Sequence, residues 1–142
     1  MASVATQAGI RETRRIKGVH TMTAEEYMSG YKYADSISRG AHPIDIHATK
    51  GSSQVAHFLE QAAYVPYRAL IAQNYPNLLV AGRCLSADRK AFASMRVQAS
   101  CMGTGQAAGV AAAMAVKSRC AVQSVDIEAL VVKLKKIGAQ LD

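Results

Sequence analysis

The stretch that decides how this chain is read runs from Cys101 to Ala113, CMGTGQAAGVAAA. Within it, Gly103-Thr104-Gly105-Gln106-Ala107-Ala108 fits the G-x-G-x-x-G/A pattern with which dinucleotide-binding folds seat a pyrophosphate at a helix N-terminus. Asp126 follows at roughly the 20-residue interval where such folds place an acid for the ribose. Two features tell against a complete fingerprint. The glycine turn of such a site follows a strand directly, because strand end, turn and helix start together aim backbone N–H groups at the ligand. Here the clearest strand ends near Cys84, and Leu85 to Met102 intervenes. Asp126 also has a simpler role, since SVDIEAL opens the last helix and Ser124 or Asp126 suits its N-cap. What survives is a small-residue helix expected from about Thr104 to Ser118. Its unpaired N–H groups suit an anion or the negative edge of a heterocycle, or the helix simply packs closely on a sheet.

Before this stretch lies YPNLLVAGRCLSA, a turn at Pro76-Asn77 and then a continuous apolar run, Leu78 to Ala81. Continuous apolarity predicts a strand buried on both faces, as in a parallel sheet flanked by helices. After it, DIEALVVKLKKIGAQL sets Ile127, Leu130, Val131, Leu134 and Ile137 on one stripe, with Lys133, Lys135 and Lys136 away from it and Gly138 as the stop. The half before Pro76 is polar and turn-rich. Thr23 and Glu26 form a capping box for a two-turn helix ended by Gly30. HPIDIHA alternates as a half-buried strand, and AYVPYRALI is a second, with Pro66 implying an edge or bulge. GIRETRRIKGV is polar on both parities, as expected of an edge strand or a polar cavity wall.

At 142 residues, 50% of them hydrophobic, the chain is the size of one domain with a real core. Its apolar runs are too short or too broken to span a bilayer. The N-terminus lacks the apolar segment of a secretory signal, so a cytoplasmic location is the default expectation. Cys84, Cys101 and Cys120 match neither a metal-ligand spacing nor a disulfide framework and read as reduced, buried thiols. The net charge of +7 favours an anionic ligand or partner, although RETRRIK and KLKK also suit solvated faces. No aromatic interleaving, zinc spacing or recognition helix supports nucleic-acid binding.

Taken in order, GIRETRRIKG, DSISRGAHPIDIH, VPYRALI, NLLVAGRCLSA and ASMRVQASCMGTGQAAGVAAA resemble the C-terminal part of FAD-dependent oxidoreductases of the glutathione-reductase-like flavoprotein class, closest to a broad and mostly bacterial family. The resemblance runs from about Ala8 to Asp142. It implies an α/β fold of α+β fragment character: the C-terminal part of a Rossmann-type FAD domain, residues 76–142, plus a β-rich remnant of the inserted substrate domain, residues 1–75. Family members carry G-x-G-x-x-G near their N-terminus, and this sequence does not. The chain is therefore expected to be a fragment, a truncated product or one subunit of a split enzyme, completed by an N-terminal FAD-domain segment or by another chain.

By the same resemblance Gly82, Arg83 and Cys84 line the FAD, and the N–H groups around Thr104, Gly105 and Gln106 face the pyrimidine side of the flavin. A helix N-terminus there would stabilise the charge of the reduced ring and favour hydride acceptance at N5. Arg96 is the candidate fixed cation near the flavin, or else a structural ion-pair partner. His47 is the candidate base for a substrate hydroxyl, or a solvent-facing strand histidine. Arg11, Arg14 and Arg15 suit an oxygen-rich or acidic substrate or surface pairs, and Tyr67 and Arg68 are further pocket candidates. The competing readings are a non-catalytic basic interaction module and a self-contained NAD-binding domain built on GTGQAA.

Overall fold

The computed structural model describes residues 6, 9–10, 12, 14–47 and 54–142. Thr23 opens helix α1, Ala24–Met28, with the reciprocal capping box that its spacing with Glu26 predicts. Gly30, at φ +61°, turns the chain out of it. Strand β1, Ser36–Gly40, pairs antiparallel with β4, Ala63–Pro66, and the register slips between Ser36 and Ser38 opposite Pro66. Proline has no N–H to give the ladder, which accounts for an irregularity at that position. Strands β2, Ile44–His47, and β3, Gln54–His57, make a second antiparallel pair. A 3-10 turn over Tyr67–Ala69 follows β4.

The C-terminal half is helical. Asp88 caps α2, Arg89–Met95, and a sharp elbow at Arg96-Val97 leads into α3, Gln98–Ser118. Arg119, left-handed at φ 52°, ends α3. Asp126 caps α4, Ile127–Lys136, through its bond to the Ala129 N–H at 3.0 Å, the role its place in SVDIEAL predicts. Helix α3 buries Ser100, Thr104, Ala107, Ala111 and Ala115. These small side chains let its backbone lie close to β1: a Cβ on Gly103 would stand 2.4 Å from Ser38 Oγ. One apolar cluster joins residues from both halves, from Met22, Tyr27 and Ile37 through Phe92 to Leu130 and Leu134. The architecture is therefore mixed α and β, with short antiparallel pairs and a helical layer.

Three expectations are corrected. Leu78 to Ala81 is extended but does not lie in a parallel sheet. Leu79 makes one antiparallel bridge to Ile71, and Leu78 is 44% exposed. An apolar run states that burial is needed and not which segment provides it. Helix α3 starts at Gln98 rather than near Thr104, so Gly103-Thr104-Gly105 lies inside a helix, where its N–H groups serve the helical ladder. That removes the NAD-binding reading of GTGQAA, because a pyrophosphate cradle needs those N–H groups free. The described residues of RETRRIK form no regular strand. Ile16 donates to the Cys84 carbonyl at 2.9 Å and Lys17 accepts from the Gln73 N–H at 2.8 Å, so the segment threads between two loops. Arg11 lies outside the described residues.

Candidate functional site

The elbow between α2 and α3 forms the wall of a cleft of about 510 Å³, lined by Arg83, Arg96, Val97, Gln98, His42 and Asp45 among others. Val97 is extended and offers no side-chain cap to α3. The first N–H that bonds back into the helix is that of Cys101, to the Val97 carbonyl at 3.0 Å. Among the described residues the N–H groups of Gln98, Ala99 and Ser100 have no acceptor; Gln98 lines the cleft, Ala99 lines a separate hollow with Ser38 and Gln106, and Ser100 is buried, so the positive end of this 21-residue helix meets the cleft at Gln98.

Arg96 is fixed beside this end. Its side chain is 14% exposed; Nη2 donates to the Asp45 carbonyl at 3.4 Å and Nη1 stands 3.9 Å from Glu12. The Cys101 thiol faces the Arg96 and Met95 carbonyls at 3.6 and 3.9 Å, tying the elbow. Burial pushes that thiol up from its ordinary pKa; the Arg83 charge opposes this and Cys84 adds to it. On the far side of the elbow, Gly82 donates its N–H to Thr104 Oγ1 at 3.1 Å, and the Thr104 hydroxyl donates to the Ser100 carbonyl at 2.9 Å. A Cβ on Gly82, itself at φ +66°, would meet Cys101 Sγ at 3.5 Å.

The structure thus gathers some of the expected residues and separates others. Arg83 and Arg96 share the cleft. Gly82 and Thr104 are bonded to each other just behind it. Against the expectation of buried thiols, Cys84 is exposed and Cys101 and Cys120 are half-buried; Cys84 is not part of the cleft lining. Gly105 is exposed, and Gln106 lines a different hollow with Ser38, Arg39 and Gly103. His47 ends β2, and its side chain lies outside the described part. Arg14 is exposed, while Arg15 bonds Glu12 and lies 5.0 Å above the Phe92 ring. Tyr67 and Arg68 are structural. The buried Tyr67 hydroxyl donates to the Val122 carbonyl at 2.7 Å, and Arg68 grips Asp35 through Nε and Nη2 at 2.9 and 3.2 Å. His42 and Asp45 of the cleft were not among the sequence candidates. No motif marks His42; only the return of the chain past α2 brings it there.

A family model for FAD dependent oxidoreductases matches residues 1–134. The chain belongs to that family. No curated protein and no solved structure matches it. FAD is the cofactor that membership carries. The cleft brings the start of α3 at Gln98 beside the nearly buried Arg96 guanidinium, donor chemistry that suits an electron-rich group. The glycine pattern in α3 of this FAD dependent oxidoreductase does not fit the pyrophosphate, because its N–H groups are spent within the helix. Among the described residues, no helix is long and apolar enough to cross a membrane.

Proposed function

We propose that this chain supplies the flavin end of an FAD site and serves hydride transfer from an oxygen-rich small molecule to flavin N5. The observation that carries the reading is the uncapped start of α3 facing the cleft beside Arg96. The helix start at Gln98 takes the part first expected of Thr104, Gly105 and Gln106. With Arg96 it favours negative charge at the pyrimidine edge. FAD, when bound, supplies the two-electron chemistry; the protein's residues bind, orient and set the local charge. Gly82, through its bond to Thr104, holds the loop that presents Arg83 to the cleft. Gly105, Gln106 and Cys84 enter the site only through surfaces added by another segment.

In this reading residues 1–75 belong to the substrate domain and 76–142 to a Rossmann-type FAD domain. The division is one of chain passage and not of separate cores. The pyrophosphate-binding glycines come from a further segment or subunit. Support for such a partner lies in what the fold leaves uncovered: Met102 and Val116 on α3 are 73% and 79% exposed, and Leu78 of the apolar run is 44% exposed. The exposed Gly105 and Gly109 lie on the same helix and would allow close approach.

The test is flavin retention. The purified chain is compared with the same chain co-expressed with a segment bearing G-x-G-x-x-G, and the visible flavin absorbance of each is read. Retention only in the pair is expected, together with a lower flavin reduction potential in Arg96→Gln. Tight retention by the chain alone, or an Arg96→Gln pair with unchanged affinity and potential, overturns the reading.

A further inference from the structure

Arg83 and His42 line the cleft beside the start of α3. Arg83 lies at the exposed rim. One Nη2 donates to the Ile10 carbonyl, and among the described residues no carboxylate pairs with its charge. A guanidinium presents its donors in a planar fork matched to a carboxylate, so an unmatched one at a cleft mouth has the chemistry of an acid-binding group.

His42 is held at two points. The Tyr27 hydroxyl donates to its carbonyl at 2.9 Å, and its Nδ1 lies 2.8 Å from the Pro43 carbonyl. Ser94 Oγ donates to that same Pro43 carbonyl at 2.7 Å, which fixes the acceptor. A carbonyl can only accept, so Nδ1 carries a proton. In the neutral ring the lone pair is then on Nε2, and His42 is one of the residues that line the cleft. A tautomer set by a backbone carbonyl is the preparation a proton acceptor needs.

We propose that the cleft takes a small 2-hydroxy acid, with Arg83 binding the carboxylate and His42 Nε2 receiving the hydroxyl proton. The oxidation half of this proposal rests on the flavin reading above. The substrate O–H bond breaks and its proton goes to Nε2. Bound FAD would be the two-electron acceptor for the hydride that leaves the hydroxyl-bearing carbon as its C–H bond breaks and the carbonyl forms.

The test uses the full chain, with the nitrogen resonances of His42 and Arg83 followed by NMR during titration with glycolate, acetate, 1,2-ethanediol and inorganic phosphate. Glycolate is expected to bind saturably and to shift both residues, with acetate weaker and 1,2-ethanediol absent. Arg83→Gln should weaken glycolate by about 10-fold or more, the loss of a charge-assisted pair. His42→Gln should abolish the preference for glycolate over acetate while leaving acetate unchanged, and the exposed His57→Gln should alter neither. Glycolate binding untouched by Arg83→Gln, equal binding of 1,2-ethanediol, or phosphate binding as tightly as glycolate overturns the proposal. Should glycolate bind as stated while the paired chain retains no flavin, the flavin reading fails and the binding site stands. The converse result overturns the hydroxy-acid site alone.

Discussion

Three glycines on one helix should respond to alanine in opposite directions. Gly105 and Gly109 are exposed, and a Cβ at either meets nothing within 4 Å. Replacing each removes the helix-interior penalty of glycine, a gain of about 1 kcal/mol. Gly103 has the same helical gain, but its Cβ would lie 2.4 Å from Ser38 Oγ and 3.4 Å from Ser38 Cβ. Ser38 is itself buried in β1, so relief requires the strand or the helix to move. Overpacking of that kind costs about 1–3 kcal/mol. The net for Gly103→Ala therefore lies between about 0 and 2 kcal/mol of destabilisation, well separated from the gains at Gly105 and Gly109. Urea denaturation followed by circular dichroism measures all three, and Gly103→Ala with Ser38→Ala completes a double-mutant cycle. Removal of the hydroxyl should recover part of the loss, with a coupling of at least about 0.5 kcal/mol. If Gly103→Ala stabilises as much as Gly109→Ala, or the cycle shows no coupling, α3 does not lie on β1 as described.

The Asp88 carboxylate holds two helix starts at once, accepting from the Ala91 N–H at 2.7 Å and from the Ala24 N–H at 2.8 Å. Asp88→Ala should cost about 2–3 kcal/mol, and Asp88→Asn less, by the same denaturation assay. Burial pushes the Tyr27 and Tyr67 hydroxyls from 10.0 up to about 12, opposed at Tyr27 by Ser94 and reinforced at Tyr67 by Cys120. The folded chain keeps protons that the unfolded chain releases, so stability is full below pH 10 and is lost as pH rises toward 12. At 1.36 kcal/mol per unit the loss is up to about 2.7 kcal/mol for each tyrosine. Denaturation midpoints at successive alkaline pH values check this, and Tyr67→Phe should flatten the fall while costing about 1 kcal/mol at neutral pH. The exposed Cys84 should react with a soluble alkylating agent well before Cys101, whose burial holds it as the thiol. Mass spectrometry of briefly treated protein reads the order.

Local chemistry was legible wherever neighbouring residues settle the outcome. The Thr23 and Glu26 box, the turn at Gly30, the β2 strand and the Asp126 cap all depend on residues within a few positions, and all stand in the structure. On the last helix, Leu130 and Leu134 are buried as the stripe predicts, but Ile137, at the C-cap where the helix has ended, is 53% exposed. The start of α3 was misplaced for a local reason too. Val97 is a poor cap, and Gln98-Ala99-Ser100 carries no signal that a helix has begun, whereas the glycines of GTGQAA imitate a turn. Arg96, put forward by the resemblance of ASMRVQAS, does line the cleft, whereas nothing adjacent to His42 in sequence signals that it lines the same cleft.

The sequence by itself determined the family, the caps and the periodicities, because these depend on residue order over short spans. Tertiary structure alone decided what CMGTGQAAGVAAA does. The meeting of α2 and α3 at Arg96-Val97 draws the helix back to Gln98 and consumes the N–H groups of its glycine pattern. The same meeting opens the new N-terminus onto a cleft whose other wall comes from β2 and the Gly82 loop, residues far apart in the chain. Hydrogen bonding within a helix is exclusive: an N–H that closes a turn cannot hold a ligand. Which N–H groups remain free therefore depends on where packing lets the helix begin.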